Sequence, residues 1–375
     1  MAAVSVHEPD VDPVSPSSVL QVAEKRRWAE LINAMPRPIL THLNEDTTWL
    51  LQLPYPSSEN VPPGRTRFNI LIDPWLRGPQ SDVASFFSTQ WHVVAPSIAT
   101  IADLNSVLAE IEQSTVPTNN ACAVGSGAVA EREFLIDAVV ISHEFTDHCH
   151  KDTLMELPRA TPIYAADVAA DLIRSWKFFD QVITTPALSC GEPWSQLTAV
   201  GSSLPGWLAI GRVITPDNAL YYHAAVLIAF DLQAGDGAEA VIYSPHGINS
   251  DDLAAATKSS GLNTLALLHG LHDVRIWMAK QLNLGALNAA RAAAATNARY
   301  WIPTHDEVKK GGGLLAPFLQ RTKYTLKDAV AHQQQLLERC GEADTPSCSF
   351  VELRSGEGLV LGSSCSNSQA QHDVL

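Results

Sequence analysis

The side chains most able to do chemistry lie in one short segment, residues 142–150. Its sequence is Ser-His-Glu-Phe-Thr-Asp-His-Cys-His, and it directly follows an apolar, β-branched run from Ala138 to Ile141. Such a run predicts a buried strand, and open α/β sheets place their sites beyond the carboxyl ends of strands. Imidazole and carboxylate ligands together suit Zn, Fe or Mn. The segment therefore predicts a metal site at a sheet edge.

The histidine spacing excludes a helical zinc-protease motif. That motif needs histidines at i and i+4, so that both lie on one face of a helix. The histidine that follows His143 is His148, at i+5, which is about 140° away from that face at 3.6 residues per turn. We therefore expect these residues to act from a loop.

The strand and the segment that follows it resemble the HxHxDH signature of the metallo-β-lactamase fold superfamily. His143, Asp147 and His148 match the signature. The resemblance spans about residues 47–361 and is strongest to the lactonase and phospholipase-D-like branches. It implies an α/β (α+β) fold, a four-layer αβ/βα sandwich of two mixed β-sheets flanked by helices.

Later landmarks of that family occur in the matching order. Asp73 ends an early apolar run, and His246 follows the run Val-Ile-Tyr-Ser-Pro where the family has a metal-bridging aspartate. His305 is similar to the last histidine ligand, and His223 to the histidine of the third motif. His246 also suits a simple turn, because Ser-Pro-His-Gly is an acceptable turn sequence.

Two departures from the family pattern change the expected metal content. Phe145 occupies the position of the second histidine, and His246 replaces the bridging aspartate. A neutral imidazole offers one lone pair and cannot bridge two cations as a carboxylate does. The resemblance then implies that the second metal site is lost. It leaves one divalent metal, zinc or alternatively Fe or Mn, held by Asp147, His148, His246 and His305.

The remaining polar side chains receive supporting roles. His143 is a candidate general acid or base, since an imidazole with an unperturbed pKa of about 6.5 can do either near neutrality. Asp147 is counted among the catalytic candidates as well as the ligands, and Asp73 could orient a histidine ligand through its ring N–H. Further pocket candidates are Phe145, His223, His269 and His272.

Three functions stay open at this point. The first is a mononuclear metal-dependent hydrolase of a small-molecule ester, thioester, lactone or amide. The second is a non-hydrolytic cyclase, isomerase or lyase that uses pocket histidines with little or no metal. The third is a catalytically silent binding protein with the same fold. One fold hosts many chemistries, so the fold alone does not choose among them.

The composition limits the class of protein. The chain has 375 residues, of which 46% are hydrophobic and 17% charged, with a net charge of −15. An acidic protein lacks the basic field that binds phosphates, so we expect a small-molecule substrate and no nucleic acid. Six cysteines without close pairing and no apolar stretch of about 18 residues predict a cytoplasmic protein without a membrane span.

The pattern along the chain predicts a single main domain. We expect a disordered tail over residues 1–17, a helical extension over 18–46, a metallo-β-lactamase-like domain over 47–362 and a polar tail over 363–375. Residues 116–130 predict an exposed loop, because they are small, polar and rich in Gly, Ser and Asn. The Ala-rich stretch from Trp277 to Ala298 predicts a helix that is broken or slackened near Gly285.

Overall fold

The computed structural model describes residues 19–21, 30, 36–81, 88–115, 134–197, 201–215, 221–233, 235, 237–276, 280–312, 318–340 and 348–362. The strands in chain order are β1 (Val19–Gln21), β2 (Ile39–His42), β3 (Trp49–Pro54), β4 (Arg67–Ile72), β5 (Thr89–Trp91), β6 (Ala138–Ile141), β7 (Ile163–Ala165), β8 (Val182–Thr184), β9 (Leu208–Ile214), β10 (Ala224–Phe230), β11 (Glu239–Ser244), β12 (Asn263–His269), β13 (Asp273–Ile276), β14 (Lys280–Asn283), β15 (Tyr300–Ile302), β16 (Lys310–Gly312), β17 (Leu319–Thr322), β18 (Ser349–Phe350) and β19 (Glu357–Val360). The helices are α1 (Ile101–Thr115), α2 (Lys151–Leu154), α3 (Asp167–Ser175), α4 (Ser250–Ser260), α5 (Ala286–Ala295) and α6 (Leu326–Cys340), with a 3₁₀ turn at Trp194–Gln196.

Two mixed sheets form the centre of the protein. The first has the strand order β1-β19-β2-β3-β4-β6-β7-β8, and the second has the order β18-β15-β12-β11-β10-β9. The run from β4 to β8 in the first sheet is parallel, as is the run from β11 to β18 in the second, and the other pairs are antiparallel. Ribbons β14-β13-β17 and β16-β5 lie outside these sheets.

The apolar side chains divide into three layers. Alternate residues of a strand point to opposite faces. Leu51 of β3 therefore packs between the sheets, while the adjacent Leu50 packs on the helix side of the first sheet. Helix α5 covers the outer face of the second sheet with small residues such as Ala289 and Ala293. Helix, sheet, sheet and helix follow one another, so the predicted four-layer sandwich is confirmed.

The N-terminal segment differs from the predicted helical extension. Residues 19–21 form β1, which pairs with β19 through Val19↔Leu359, and residues 39–42 form β2 between β19 and β3. Glu30, inside the predicted helical stretch, is helical, whereas Ile39 and Leu40 are fully buried in the sheet. The extent of the helical extension stays a prediction. The predicted tails, the 116–130 loop and residues 22–29 and 31–35 lie outside the described residues.

The Ala-rich helix is shorter than predicted. It begins after Gly285 and ends at Ala295, and residues 280–283 form strand β14 instead of its first turns. Gly285 is the physical reason, because a Cβ at this position would lie 2.6 Å from the carbonyl oxygen of Leu271. None of the helices in the described ranges combines the length and apolarity that crossing a bilayer requires.

Candidate metal centre

Four histidines of the predicted site meet at the carboxyl ends of strands from both sheets. His143 and His148 follow β6, His246 follows β11 and His305 follows β15. All four side chains are buried. The ring centres of His143 and His148 are 3.9 Å apart, those of His143 and His246 4.4 Å, and those of His246 and His305 5.0 Å. Segments more than 150 positions apart in the sequence thus supply one cluster of imidazoles.

The cluster contains two groups of possible ligands that share His148. In the first, His143, His148 and His246 each offer one ligand atom, and these atoms lie within 4.8 Å of one another; the second group, built the same way, is Asp147, His148 and His305. The four predicted ligands are therefore split between the groups. His143, predicted as an acid or base, offers a nitrogen within 4.8 Å of the ligand atoms of His148 and His246.

Three ring nitrogens of the first group have no hydrogen-bond partner. The Nε2 atoms of His143, His148 and His246 are buried, and no polar atom of the described residues satisfies them. Leaving one buried polar group unpaired costs about 1–3 kcal/mol, so three in one place require an explanation. A cation that accepts the three lone pairs supplies one. Imidazole nitrogen is also the ligand that zinc sites use most readily. The donor set fits a divalent metal.

His148 is held in the orientation that a ligand needs. Its Nδ1 lies 2.6 Å from Oδ2 of Asp73, and a carboxylate can only accept, so Nδ1 carries the proton and Nε2 the lone pair. Asp73 is fixed in turn by Ser142, whose N–H and hydroxyl donate to its two oxygens at 2.8 and 2.5 Å. The role predicted for Asp73 agrees with this geometry.

His246 and His305 are oriented in the same way, each by an oxygen that accepts a hydrogen bond from its Nδ1. His246 Nδ1 lies 2.7 Å from the amide oxygen of Asn283, and His305 Nδ1 lies 3.1 Å from Oδ1 of Asp46. Both rings therefore present Nε2 as the lone-pair atom. Asn283 and Asp46 were not identified from the sequence. Asn283 belongs to the segment predicted as helix, and Asp46 to the predicted extension.

His143 has a different environment. Its Nδ1 accepts the backbone N–H of Phe145 at 3.3 Å, which leaves the proton of a neutral ring on Nε2. Metal binding at Nε2 would move that proton to Nδ1 and replace this long hydrogen bond. Phe145 packs against the ring with centres 4.8 Å apart, and its contacts with Tyr222 and His246 help to exclude water.

A lysine that sequence reasoning missed lies beside the second group. The ammonium of Lys309 is 2.6 Å from Oδ2 of Asp147 and 2.7 Å from Oδ2 of Asp46, and it lies 5.3 Å from the ring centre of Trp75. Only 5% of its side chain is exposed, which is unusual for a lysine. No local pattern marks this residue, since its neighbours Val308 and Lys310 are exposed.

The electrostatics keep most of these imidazoles neutral. Burial, reinforced by the neighbouring histidines, holds the pKa values of His143 and His246 well below the ordinary value for histidine, and burial together with Lys309 lowers the pKa of His305. For His148, burial opposes the charged form, but the adjacent carboxylates outweigh it and raise the pKa. Neutral imidazoles are the form that binds metals.

Asp147 is ionised. Burial alone would raise the pKa of its carboxyl, but the ammonium of Lys309, with His148 and His305 next in effect, holds it well below the usual range. Its oxygens lie 3.7 Å from Nε2 of His148 and 3.8 Å from Nε2 of His305. Asp147 therefore carries a negative charge directly beside the imidazole cluster.

The backbone is strained at two of these positions. Asp73 has φ 43° and His305 has φ 60°, values that non-glycine residues seldom adopt. Asp73 directly follows β4 and His305 lies three residues beyond the end of β15, so the chain turns sharply at both positions. Such conformations concentrate at functional sites, where the surroundings enforce them.

A cavity of about 250 Å³ opens beside His143. It lies between strands β9 and β10 and the start of α3, and its lining includes His143, Glu144, Arg212, Tyr222 and His223. A pocket of this size suits a small molecule. Tyr222 also packs against the ring of His246, with centres 5.3 Å apart, so it contacts both the cavity and the cluster.

The four predicted pocket residues have different surroundings. His223 lines the cavity and hydrogen-bonds through Nε2 to the carbonyl oxygen of Leu282 at 3.0 Å, whereas Phe145 packs inside the cluster. His269 and His272 are not among the described residues that line this cavity. The ring of His269 bonds Gly270 and Asn288, and that of His272 contacts Arg321. Both rings therefore have structural partners, and their assignment as pocket residues stays a prediction.

Comparison with known proteins finds similarity in structure only. No protein-family model and no curated protein sequence matches the chain. One similar solved structure is a possible metal-dependent hydrolase from Veillonella parvula DSM 2008, with 13% identity, a TM-score of 0.49 and coverage of 87% of this chain and 100% of that one. Another is an isothiocyanate hydrolase from Delia radicum gut bacteria, with 16% identity, a TM-score of 0.47 and coverage of 87% and 100%.

A third similar structure carries the name of the fold. It is the metallo-β-lactamase fold protein YhfI from Bacillus subtilis, with 14% identity, a TM-score of 0.40 and coverage of 86% of this chain and 98% of that one. The present chain has two mixed sheets between helices and a His-Glu-Phe-Thr-Asp-His segment at the carboxyl end of β6. These features are those of the metallo-β-lactamase fold that the sequence predicts.

Proposed function

We propose that the protein is a metal-dependent hydrolase with one divalent cation, zinc or alternatively Fe or Mn, held by His143, His148 and His246. The observation that carries this proposal is the group of three buried Nε2 atoms without a partner. Three histidines leave a fourth coordination position open, as catalytic zinc sites do. The set differs from the four-ligand site that the sequence predicts, because Asp147 is engaged by Lys309.

The chain's own residues supply the rest of the chemistry. When bound, a divalent cation supplies Lewis acidity, which polarises a carbonyl group and makes water more acidic. Asp73 and Asn283 fix the rings of His148 and His246 through Nδ1. Phe145 packs over the rings and limits the entry of bulk water.

Glu144 is the group that we assign to proton transfer. It lines the cavity beside His143, and its Oε1 accepts a hydrogen bond from the hydroxyl group of Tyr221. Its Oε2 is buried and has no partner among the described residues, so this oxygen can accept a proton from attacking water. The substrate that this arrangement suits is a small ester, thioester, lactone or amide that the cavity can hold.

Metal content and turnover test the proposal together. We expect the purified protein to contain one divalent ion per chain by elemental analysis, and its turnover of small esters and lactones to disappear on chelation and return on reloading. His143→Ala should lose the ion, while His272→Ala, a histidine outside the cluster, should keep it. A variant His305→Ala that loses the metal while His143→Ala keeps it would overturn the ligand set in favour of the second group.

One observation favours a second candidate, a non-hydrolytic enzyme that uses the histidines as acids and bases. The hydrogen bond from Phe145 N–H to Nδ1 of His143 leaves the proton of a neutral ring on Nε2, and the residue lines the cavity, so His143 can serve as a proton donor. This candidate predicts turnover in a fully demetallated sample. A protein with neither metal nor turnover would instead be a binding protein with this fold.

A further inference from the structure

The cluster contains two overlapping groups of possible metal ligands, and the single lone pair of His148 can serve only one of them at a time. The His143, His148 and His246 group defines the first position, and the Asp147, His148 and His305 group defines the second, with His148 common to both. The unpartnered Nε2 atoms belong to the first position. The second position differs from it by containing a carboxylate, so it should be the stronger site for a hard divalent cation.

The second position already has a positive charge. The Nζ atom of Lys309 lies 2.6 Å from Oδ2 of Asp147, the carboxylate of that group, and 2.7 Å from Oδ2 of Asp46. Asp46 also accepts from Nδ1 of His305 at 3.1 Å, so the ammonium is connected to two of the three members. The side chain of Asp46 is fully buried and that of Asp147 is 9% exposed.

The lysine is held in place by the fold. Residues 310–312 form β16, which pairs with β5, so the backbone next to Lys309 is fixed. Glu307 accepts the N–H groups of Val93 and Val94 at 2.6 and 3.1 Å and contacts His92 at 2.6 Å. The backbone on both sides of Lys309 is therefore fixed by tertiary contacts, and these contacts hold its side chain in the interior.

We propose that the Lys309 ammonium acts as a resident cation at the second position, so that this centre holds one metal ion and excludes another. A divalent ion bound through Asp147 would lie within a few ångströms of a fixed positive charge and would compete with it for the same oxygen. In this arrangement Lys309 is a positioning residue, because its ammonium holds the carboxylate of Asp147 in place where a second metal ion would otherwise bind. The inference rests on the proposed metal at the first position.

Removing the charge should open the second position. In Lys309→Met, the side chain keeps its approximate length but loses the ammonium, and Asp46, Asp147 and His305 become a set of two carboxylates and one imidazole suited to Zn or Mn, while His148 stays with the first ion. We expect metal content after equilibration with Zn²⁺ and gel filtration to rise from one to two ions per chain. Adding Asp147→Ala to Lys309→Met should return it to one.

The matched control is Lys310→Met, which removes the exposed neighbouring lysine and should leave one ion per chain. If Lys309→Met unfolds because two buried carboxylates lose their counter-charge, then excess Zn²⁺ should restore cooperative thermal unfolding. A Lys309→Met protein that binds one ion, or that stays unfolded with excess Zn²⁺, overturns the inference. A wild-type protein with two ions also overturns the inference and the single-ion centre, but it leaves metal-dependent hydrolysis standing; a wild-type protein with no ion overturns the proposed function itself.

Discussion

The Nδ1 atom of His148 lies 2.6 Å from Oδ2 of Asp73, and both side chains are fully buried. The carboxylate also accepts two hydrogen bonds from Ser142, at 2.8 and 2.5 Å, so it faces donors only. Asp73→Asn would turn an NH₂ group toward one of these donors. Because outer partners of a ligand typically change metal affinity about 10–100-fold, we expect a loss of that size in Zn²⁺ affinity, measured by competition with a chelating dye.

A surface change of the same kind serves as the control for Asp73. Asp180 lies at a largely exposed ion pair with Arg159, so Asp180→Asn should leave the Zn²⁺ affinity unchanged. Equal affinities for Asp73→Asn and the wild type would show that this carboxylate does not orient a ligand.

Parts of the site follow from the sequence because they depend on strand ends. The runs 138–141 and 241–243 are continuous and apolar, which predicts buried strands, and the polar residues after them must lie at a sheet edge. His148 and His246 are therefore expected to converge if both strands end on the same side of the sandwich, whichever strands are neighbours.

Other parts depend on tertiary pairing that no local pattern carries. Lys309 reaches Asp147 only because β16 pairs with β5, and a lysine beside exposed residues normally remains solvated. Asn283 was missed because its segment has helical composition but forms β14 beside β13. Sequence periodicity predicts helices and strands, but the contacts of Lys309 and Asn283 depend on which strands pair with one another.

The amide of Asn283 provides a second test of ligand orientation. It accepts from Nδ1 of His246 at 2.7 Å, and its replacement in Asn283→Ala removes this acceptor. We expect Zn²⁺ affinity to fall by about tenfold or more, because the His246 ring loses the partner that fixes its tautomer. Isothermal titration with Zn²⁺ measures this change.

Asn288→Ala is the matched control for Asn283→Ala. Asn288 is half-buried and its amide is also bonded to a histidine. Its partner is His269, which lies outside both ligand groups. Both variants should lower the free energy of unfolding, while only Asn283→Ala should weaken Zn²⁺ binding. Equal losses of affinity would mean that the effect comes from general destabilisation.

His269 gives the protein a pH-dependent stability. Burial lowers its pKa to about 4, against 6.5 for the unfolded chain. Between these values the unfolded chain binds a proton that the folded protein does not, so acidification favours unfolding by about 1.4 kcal/mol per pH unit from this residue. His269→Gln should therefore lose stability at pH 7, but its deficit relative to the wild type should shrink by about 2 kcal/mol at pH 5.

Urea unfolding of both proteins at pH 7, 6 and 5 measures this difference, and the contributions of other titrating groups cancel in the comparison. Asp306 has the opposite effect on stability. Burial raises the pKa of its carboxyl to about 7, so its contribution to the free energy of unfolding decreases as the pH rises from 3.8 towards 7. A deficit for His269→Gln that stays constant with pH would mean that the pKa of His269 is the same in the folded protein and the unfolded chain.

Gly247 sets the close approach that places His246. It has φ 82°, and a Cβ there would lie 2.6 Å from Cβ of Leu284 and 3.0 Å from Nε2 of His269. Leu284 also donates its N–H to the carbonyl oxygen of His246 at 2.9 Å, so relieving the clash must shift the ligand. Gly247→Ala should lower the free energy of unfolding by about 2–4 kcal/mol and weaken Zn²⁺ binding.

The comparison variant for this position is Gly261→Ala, at the end of α4. Gly261 has φ 75°, but an added Cβ would meet nothing within 4 Å. It should therefore cost only the backbone term, about 1–2 kcal/mol, and leave Zn²⁺ affinity unchanged. Thermal unfolding and Zn²⁺ titration of the two variants separate backbone strain from displacement of His246. If the two variants lose the same stability and both keep wild-type affinity, the contact between Gly247 and Leu284 does not position the ligand.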